Sequence, residues 1–466
     1  MDDIITQIAT YVMNPPPFSE TAYRLARWVL ADSLGVAMLA LQDPHCRTVS
    51  APHPFQERAD GCPVPGTGWR VDPVAATFTL GSLIRWLDYN DTWLAQEWGH
   101  PSDNLAAILM AADWVSRRRQ AVGLPPLRVQ DVLTALVQAH EIQGVLSLTN
   151  SLNRVGLDHV LFVKVASAAV VTRLLGGTAE QVANAISLAL ADNGPLRTYR
   201  HWPNTGSRKS WAAADQASRA VWLSLLALRG EMGYPTIVTA PTWGFQAVAL
   251  RGQPLTLGQP LGCYVMERVL LKLYPAEFHG QTAVEAAIQL SPHVRERLDH
   301  VARIIIDTQE SALRIIDKRG PLTNPADRDH CLQYMTAVAL LYGTVTPAHY
   351  QDEAAQDPRI DWLRERMEVR EDPQFSRDYL DPAKRTVGNR VTVVWDDGSQ
   401  TGPVTVEYPL GHPRRRAEAE PRVWAKCAQN LRGAFVPARA DALVALLQAD
   451  TLGDWTVPQF LEAWTL

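Results

Sequence analysis

Hydrophobic residues recur at helical spacing along most of the first 270 residues. After the helix breaker Pro15-Pro16-Pro17, apolar positions three to four residues apart predict a first long helix from about Ser19 to Leu41. An irregular loop, rich in Pro, Gly and His, is expected from Asp43 to Pro73. The same periodicity predicts further helices at residues 73–86, 105–119, 129–143, 158–175, 179–191, 209–228 and 254–262. This series is typical of a large all-helical domain.

The pattern changes after about Leu270, where runs of β-branched residues begin to alternate with helical stretches. Residues 301–308 predict a strand, and residues 328–342 predict a helix with one apolar face. Two further strand-like runs, 390–395 and 404–408, flank an Asp-Asp-Gly-Ser turn, which is the strongest hairpin signal in the chain. A smaller α/β part is therefore predicted after the helical series.

The fold class that follows is mainly α with an α/β part. We expect a large all-helical domain over residues 1–269 and a smaller α/β domain over residues 270–408. Because helix-forming composition returns near the C-terminus, residues 409–466 are expected to pack back on the helical domain.

Composition narrows the classes of function. The 466 residues are 47% hydrophobic and 20% charged, which is typical of a globular protein with a sizeable core. The 44 Lys and Arg residues against 49 Asp and Glu residues give a net charge of −5, which opposes general binding to a phosphate backbone. Neither a basic leader nor a run of 18 apolar residues is present, so we expect a cytoplasmic protein that binds neither nucleic acid nor membrane.

The five cysteines do not form a recognisable metal or disulfide pattern. The closest two, Cys46 and Cys62, are sixteen positions apart, and no Cys-x-x-Cys motif occurs. Iron–sulfur clusters and zinc ribbons usually take at least two thiolates from one closely spaced motif. We therefore expect chemistry that needs no metal and no cofactor.

The densest group of chemically capable residues lies between two predicted helices, at positions 88–104. It contains Asp88, Asp91, Thr92 and His100, a set able to move protons and to bind polar substrates. If the preceding helix continued, Asp88 and Thr92 would share one of its faces. Two alternatives remain open: helix-end and turn residues without a catalytic role, or metal ligands, although no His-x-x-x-His motif supports dedicated zinc.

Five residues elsewhere are further candidates, each with a plainer structural interpretation. His159 opens an apolar helix, where a lone histidine is also a common capping residue. Arg208 and Lys209 open another helix, where a carboxylate could bind, although both could equally be surface cations. Lys272 stands between two leucines and must be partnered or must shift its pKa. Tyr334 has the sequence surroundings of an ordinary core aromatic.

Taken in this order, these motifs resemble the MmgE/PrpD family over nearly the whole chain. Residues 87–93 and 97–104, together with 366–372 and the 396–412 region, are similar to members that dehydrate 2-methylcitrate. The resemblance implies a large helical domain with a smaller α/β lid domain, a homodimer, and a site between the two domains without a metal cluster.

The resemblance also implies a set of site residues. Its catalytic members would be Asp88, His100, His159, Lys272 and Tyr334, and its substrate-binding members would be Thr92, Arg208 and Lys209. We expect His100, held by Asp88, and Tyr334 to divide the base and acid roles. The related cis-aconitate decarboxylases carry a histidine where this chain has Glu277, which argues against decarboxylation.

The implied activity is that of a cluster-independent hydro-lyase. It would dehydrate 2-methylcitrate to 2-methyl-cis-aconitate in the methylcitrate cycle of propionate catabolism, with weaker activity on citrate. Such a tricarboxylate needs several cations, a positioned base for the carbon acid and a proton donor for the tertiary hydroxyl. The alternatives are a decarboxylase or isomerase of a cis-aconitate-like tricarboxylate, and a catalytically silent paralogue that binds a carboxylate ligand.

Overall fold

The computed structural model describes residues 1–191, 194–201 and 203–466. It divides into two compact units. Unit 1 consists of Met1–Leu270 and Pro421–Leu466, and unit 2 consists of Leu271–Glu420.

Helices predominate in the described residues, with a few strands among them. In chain order the helices are α1 (Asp3–Met13), α2 (Glu20–Ala40), α3 (Pro44–Ser50), α4 (Pro73–Arg85), α5 (Leu105–Ala121), α6 (Val129–Thr149), α7 (Val160–Leu174), α8 (Ala179–Ala191), α9 (Arg208–Leu228), α10 (Phe245–Val248), α11 (Tyr264–Arg268), α12 (Gln281–Glu296), α13 (Glu310–Ile316), α14 (Pro325–Arg328), α15 (Leu332–Tyr342), α16 (Asp352–Ala355), α17 (Pro358–Glu365), α18 (Pro373–Leu380), α19 (Arg416–Ala434), α20 (Pro437–Gln448) and α21 (Val457–Glu462). The strands are β1 (Glu57–Pro63), β2 (Arg70–Val71), β3 (Val301–Thr308), β4 (Met367–Glu371), β5 (Asn389–Trp395) and β6 (Gln400–Val406).

In unit 1 the packing centres on α7, which lies against α6, α8 and α9. Nearly every residue of α7 is buried, as expected for a helix that is apolar all round. Helix α4 packs on α9 and begins with Asp72, whose carboxylate accepts hydrogen bonds from the first turn, followed by a proline at the first helical position. This packing fixes the end of α4, from which the loop with the candidate residues leaves.

Unit 2 contains a four-stranded sheet in the order β4-β3-β5-β6. Strand β3 is parallel to β4 and antiparallel to β5, and β5 and β6 form an antiparallel hairpin. The hairpin turns at Gly398, whose φ of +80° is a backbone conformation that glycine adopts without steric cost. The buried side chains of the sheet share one hydrophobic core with α12 and α15.

The predicted fold class is confirmed, and most of the predicted elements are present. The strand at residues 301–308 and the hairpin around the Asp-Asp-Gly-Ser turn form as expected. The helix predicted at residues 254–262 is wrong, because Gly258 and Pro260 interrupt it and the chain there runs without regular structure. The segment 43–73 is more regular than predicted, since it contains α3 and the antiparallel pair β1–β2.

Candidate active site

The candidate site in unit 1 is built on the loop that follows α4. The helix ends at Arg85, and Asp88 has a φ of +48°, a left-handed conformation that a non-glycine residue rarely adopts. The helix does not continue to Thr92, so the condition under which Asp88 and Thr92 would share a helical face is not met. Such a backbone conformation is typical of residues that the surrounding structure holds in place for a function.

His100 lies at the centre of this loop, with both ring nitrogens engaged. Its Nδ1 atom lies 2.5 Å from the backbone carbonyl oxygen of Asp91 and 3.0 Å from the hydroxyl of Thr92. A carbonyl oxygen can only accept, so Nδ1 carries the proton. Its Nε2 atom lies 2.9 Å from a guanidinium nitrogen of Arg85, which can only donate, so Nε2 acts as the acceptor. The ring is thus a neutral imidazole whose basic nitrogen faces Arg85.

Asp88 completes this group from the side of Arg85. Its carboxylate forms a buried ion pair with Arg85 and lies 3.7 Å from Nε2 of His100. The three side chains are buried, with His100 only 7% exposed. Arg85 therefore connects the carboxylate with the imidazole.

The Asp91 side chain supports the loop from behind. Its carboxylate accepts hydrogen bonds from the backbone N–H and the hydroxyl of Ser102, and it lies 2.8 Å from Nε2 of His140. Nδ1 of His140 donates to the carbonyl oxygen of Leu136, one turn earlier in α6. Asp91 thus joins α6 to the loop, and its carbonyl oxygen orients His100.

His159 is brought next to His100, with the two rings edge to face and their centroids 5.7 Å apart. Nδ1 of His159 lies 3.0 Å from the Asp158 carboxylate, and its Nε2 atom is buried without a hydrogen-bond partner among the described residues. Burial lowers the pKa of His159 to about 4 despite the opposing effect of Asp158. At neutral pH the ring is therefore uncharged.

Asp158 in turn is held by arginines. It forms a two-pronged ion pair with Arg200, and Arg197 lies 3.9 Å away. Burial alone would raise the pKa of Asp158, but Arg200 and His159 hold it well below its usual range. The carboxylate remains ionised and fixes the position of the imidazole beside it.

Two further buried carboxyls lie in the same loop region. Burial raises the pKa of Glu97 to about 7, although Arg197 and the backbone N–H of Asn153 oppose the shift. Burial likewise raises the pKa of Asp103 to about 7. Perturbed carboxyls of this kind concentrate at functional sites.

The predicted carboxylate-binding pair at the start of α9 is divided between two environments. Lys209 is buried, with 4% of its surface exposed. Arg208 is partly exposed, pairs with Asp215 at 3.3 Å and lies over the rings of Tyr199 and Trp211. Of the two cations, only Lys209 is buried. A buried charge interacts more strongly with a ligand than a charge that is exposed to solvent.

The two candidates in unit 2 are also buried. Lys272 is 1% exposed. The hydroxyl of Tyr334 donates to the carbonyl oxygen of His349 at 2.8 Å, and burial raises its pKa to about 12. Tyr334 also lines a cavity of about 600 Å³ within unit 2, together with Arg328 and Arg364.

Within unit 1 the structure thus brings together Asp88, Thr92, His100 and His159. Three side chains at this site were not predicted: Arg85, His140 and Arg200. Arg85 could have been found three positions before Asp88 at the end of the predicted helix. His140 and Arg200 carry no such signal, because each comes from a distant part of the chain.

In the part of the chain that the structure describes, no group of three His, Cys, Asp or Glu side chains has the arrangement of a metal site. No single described helix has the length and hydropathy of a membrane span. Helices α2 and α3 taken together have the length and composition of one, but they are sharply bent at the break between them.

Comparison with known proteins gives a consistent result along the chain. The family model of the MmgE/PrpD N-terminal domain matches residues 6–258, and that of the MmgE/PrpD C-terminal domain matches residues 274–450. A 2-methylcitrate dehydratase of Salmonella typhimurium is 51% identical, with 100% of this chain and 98% of that protein covered. The Cupriavidus necator protein of the same name is 52% identical, with 100% of this chain and 97% of that protein covered. The mitochondrial 2-methylcitrate dehydratase of Yarrowia lipolytica is 49% identical, with 96% of this chain and 88% of that protein covered.

Proposed function

The chain belongs to the MmgE/PrpD family, and from this premise we propose that it dehydrates 2-methylcitrate to 2-methyl-cis-aconitate in the methylcitrate cycle. Relatives that carry the name of this activity are about half identical to the chain over its full length. The enzyme is therefore a carbon–oxygen hydro-lyase that consumes an intermediate of propionate catabolism.

The observation that carries this function is the state of His100. Dehydration removes a proton from a carbon next to a carboxylate and releases the tertiary hydroxyl, with a second proton, as water. A base for the first step must be unprotonated at neutral pH and fixed in direction. The contact between Nδ1 and the Asp91 carbonyl oxygen fixes the direction of the ring, and the Arg85 guanidinium, which can only donate, favours an unprotonated Nε2.

The other residues of unit 1 have complementary roles in this proposal. Arg85 and Asp88 flank the basic nitrogen of His100. When His100 takes up a proton, the Asp88 carboxylate, which is ion-paired with Arg85, stabilises the positive charge on the ring. Thr92 contributes a hydroxyl beside the ring. His159, uncharged at neutral pH, is the second imidazole of the proposed set, with its ring centroid 5.7 Å from that of His100.

Cations bind the carboxylates of the substrate in this scheme. Lys209 and Lys272 are buried, where their charges are least screened, and Arg208 is the more exposed member. Tyr334 is our proposed proton donor to the departing hydroxyl. Its raised pKa keeps the phenol protonated at neutral pH, as a general acid requires.

Three finer properties belong to the same proposal. We expect citrate to be a slower substrate, because one methyl group in a pocket discriminates by only about 1 to 3 kcal/mol. We also expect a homodimer in the cytoplasm, as the family resemblance implies. Size-exclusion chromatography with light scattering tests the oligomeric state.

Product analysis by NMR tests the activity. Incubation with 2-methylcitrate should produce 2-methyl-cis-aconitate and water without loss of carbon. Release of carbon dioxide from a cis-aconitate-like tricarboxylate would instead identify a decarboxylase. Absence of turnover with retained binding of tricarboxylates would identify a silent paralogue.

A further inference from the structure

His140, in the middle of α6, has no part in the chemistry described above. Its two ring nitrogens both lie at hydrogen-bond distance from oxygen atoms. Nε2 is 2.8 Å from the carboxylate of Asp91, and Nδ1 is 2.9 Å from the backbone carbonyl oxygen of Leu136. The side chain of His140 is fully buried, and only 1% of the Asp91 side chain is exposed. Solvent therefore does not compete for these contacts.

The partners of His140 show where its protons are. The carboxylate of Asp91 accepts hydrogen bonds from the hydroxyl of Ser102 at 2.7 Å and from its backbone N–H at 3.0 Å, and accepted bonds of this kind favour the ionised form. The carbonyl oxygen of Leu136 can likewise only accept. Because both ring nitrogens of His140 face acceptors, each carries a proton. His140 is thus an imidazolium in a buried ion pair with Asp91.

The backbone of Asp91 connects this ion pair with the proposed base. Its carbonyl oxygen lies 2.5 Å from Nδ1 of His100. The N–H of the same peptide unit, which belongs to Thr92, donates to the carbonyl oxygen of Leu270 at 2.7 Å. The peptide unit is therefore held on one edge by Leu270, whereas the Asp91 side chain is held by His140 and Ser102. If the side chain were released, Asp91 could turn about its backbone dihedrals and carry the acceptor away from His100.

We propose that His140 is a positioning residue for the dehydration: as an imidazolium it fixes the carboxylate of Asp91, and through the backbone of Asp91 it keeps the proton of His100 on Nδ1. His140 reaches the reacting atoms only through these two residues. The inference rests on the proposed function in taking His100 as the base. Its structural part, the protonation of His140 and the tautomer of His100, can be measured without substrate.

Replacement of His140 by leucine tests the positioning, because leucine is apolar and donates no hydrogen bond to Asp91. We expect His140→Leu to lower kcat for 2-methylcitrate about 10- to 100-fold and to change KM by less than about threefold, since a misplaced base affects the chemical step more than binding. In His140→Gln the amide nitrogen can take the place of Nε2 and donate to Asp91. This conservative variant should therefore keep a kcat at least about fivefold higher than that of His140→Leu.

Val132→Ala is the matched control for stability, since Val132 is a fully buried apolar residue of the same helix. Its truncation should lower the melting temperature without changing kcat. A folded His140→Leu protein with the wild-type kcat would overturn the proposal, as would a His140→Gln protein no more active than His140→Leu. Wild-type turnover of 2-methylcitrate, measured first, shows independently whether the proposed function holds.

A second measurement requires no turnover. Nitrogen NMR of histidine-labelled wild-type protein at pH 7.5 should show His140, assigned by its loss in His140→Gln, with a proton on both ring nitrogens. His100 should be the neutral tautomer with its proton on Nδ1, and in His140→Leu it should become a mixture of the two tautomers. A neutral His140 in the wild type, or an unchanged His100 in folded His140→Leu, would refute the proposal. The expected NMR states in a protein that does not dehydrate 2-methylcitrate would refute the proposed function alone.

Discussion

Nδ1 of His100 lies 2.5 Å from the backbone carbonyl oxygen of Asp91, and this contact determines which nitrogen of the ring is basic. A carboxylate at that position could take the proton from Nδ1, whereas a carbonyl oxygen only accepts a hydrogen bond from it. The Asp91 side chain is meanwhile bound by Ser102 and His140, so the carbonyl cannot easily turn away. The tautomer of His100 is thus set by the fold of the loop.

His100→Ala should remove the proposed base while leaving the fold intact. We expect kcat to fall by about 10²- to 10⁴-fold, the usual contribution of a positioned acid or base. Steady-state kinetics and a thermal melt on one preparation measure both properties. The exposed His53, stacked on Phe55, provides the control variant His53→Ala, which should change neither. A folded His100→Ala protein with near-normal kcat would move the proton-transfer role to His159 or Tyr334.

Arg85→Met should alter the pH dependence of the reaction as well as its rate. The guanidinium donates to Nε2 of His100 and therefore favours the unprotonated ring. Without it, the imidazole binds a proton more readily, and the acidic limb of the kcat/KM profile should move to higher pH. The variant should also lose activity because the ion pair between Arg85 and Asp88 is lost.

Arg85→Lys is the matched control for that experiment, since it keeps the charge but loses the forked geometry. It should show a smaller displacement of the acidic limb than Arg85→Met. Coincident profiles for wild type and Arg85→Met would show that Nε2 is not the titrating base.

The sequence predicted the fold well where local signals are strong. The strand at residues 301–308 and the hairpin turn at Gly398 depend on β-branched runs and turn residues that are visible in a short window. No helix forms at residues 254–262, because Gly258 and Pro260 disfavour a helix there although apolar residues recur at helical spacing. The helix after Asp72 ended one residue before predicted, within the usual uncertainty of a boundary.

The site was predictable only in part, for a physical reason. His100 and Asp88 lie within one short segment, so their proximity could be expected from the sequence. The contribution of Arg200 depends on a contact with Asp158 that spans 42 positions and is created by tertiary packing. The contact at Nδ1 of His100 was not predicted, because the partner is a backbone carbonyl and no side-chain pattern reveals a backbone contact.

His159 should make the protein less stable at mildly acidic pH. Its pKa is lowered from 6.5 to about 4 in the folded state, so the unfolded chain binds a proton at a higher pH than the folded one. This contribution to the unfolding free energy is complete above pH 6.5 and is lost as the pH falls from 6.5 through 4. The total loss is about 3 kcal/mol for a fully buried ring.

Urea unfolding of wild type and His159→Gln across this range measures the effect. The stability of the wild type relative to the variant should decline by about that amount between pH 6.5 and pH 4. The raised pKa values of Glu97 and Asp103 make the unfolding free energy change with pH in the opposite direction. The difference between wild type and variant cancels that contribution. A constant difference would mean that His159 has an ordinary pKa.

Turnover should not depend on a bound transition metal. All five cysteines are free, and four of them are buried in separate places along the chain. We expect kcat to be unchanged after dialysis against EDTA, with less than about 0.1 equivalent of iron or zinc by elemental analysis. Stoichiometric metal whose removal abolishes turnover, and whose return restores it, would contradict the expectation.

Lys426, in the C-terminal part of unit 1, should stabilise the loop that carries Asp88. Its ammonium pairs with the buried Asp32 at 2.7 Å, donates to the backbone carbonyl oxygen of Tyr89 at 2.8 Å and lies over the Tyr89 ring. Tyr89 directly follows Asp88, whose left-handed backbone needs support. Lys426→Met leaves Asp32 as an unpaired buried carboxyl and should destabilise the protein by about 3 to 5 kcal/mol.

The double variant Asp32→Leu/Lys426→Met separates stability from support of the loop. Because it removes both charges, most of the lost stability should return. We expect a lowered kcat in both the single and the double variant, since both lack the Lys426 ammonium that donates to the carbonyl oxygen of Tyr89. Melting temperature and kcat of the two variants provide the comparison. Recovery of both stability and kcat in the double variant would show that the contact with Tyr89 has no part in holding Asp88 in its left-handed conformation.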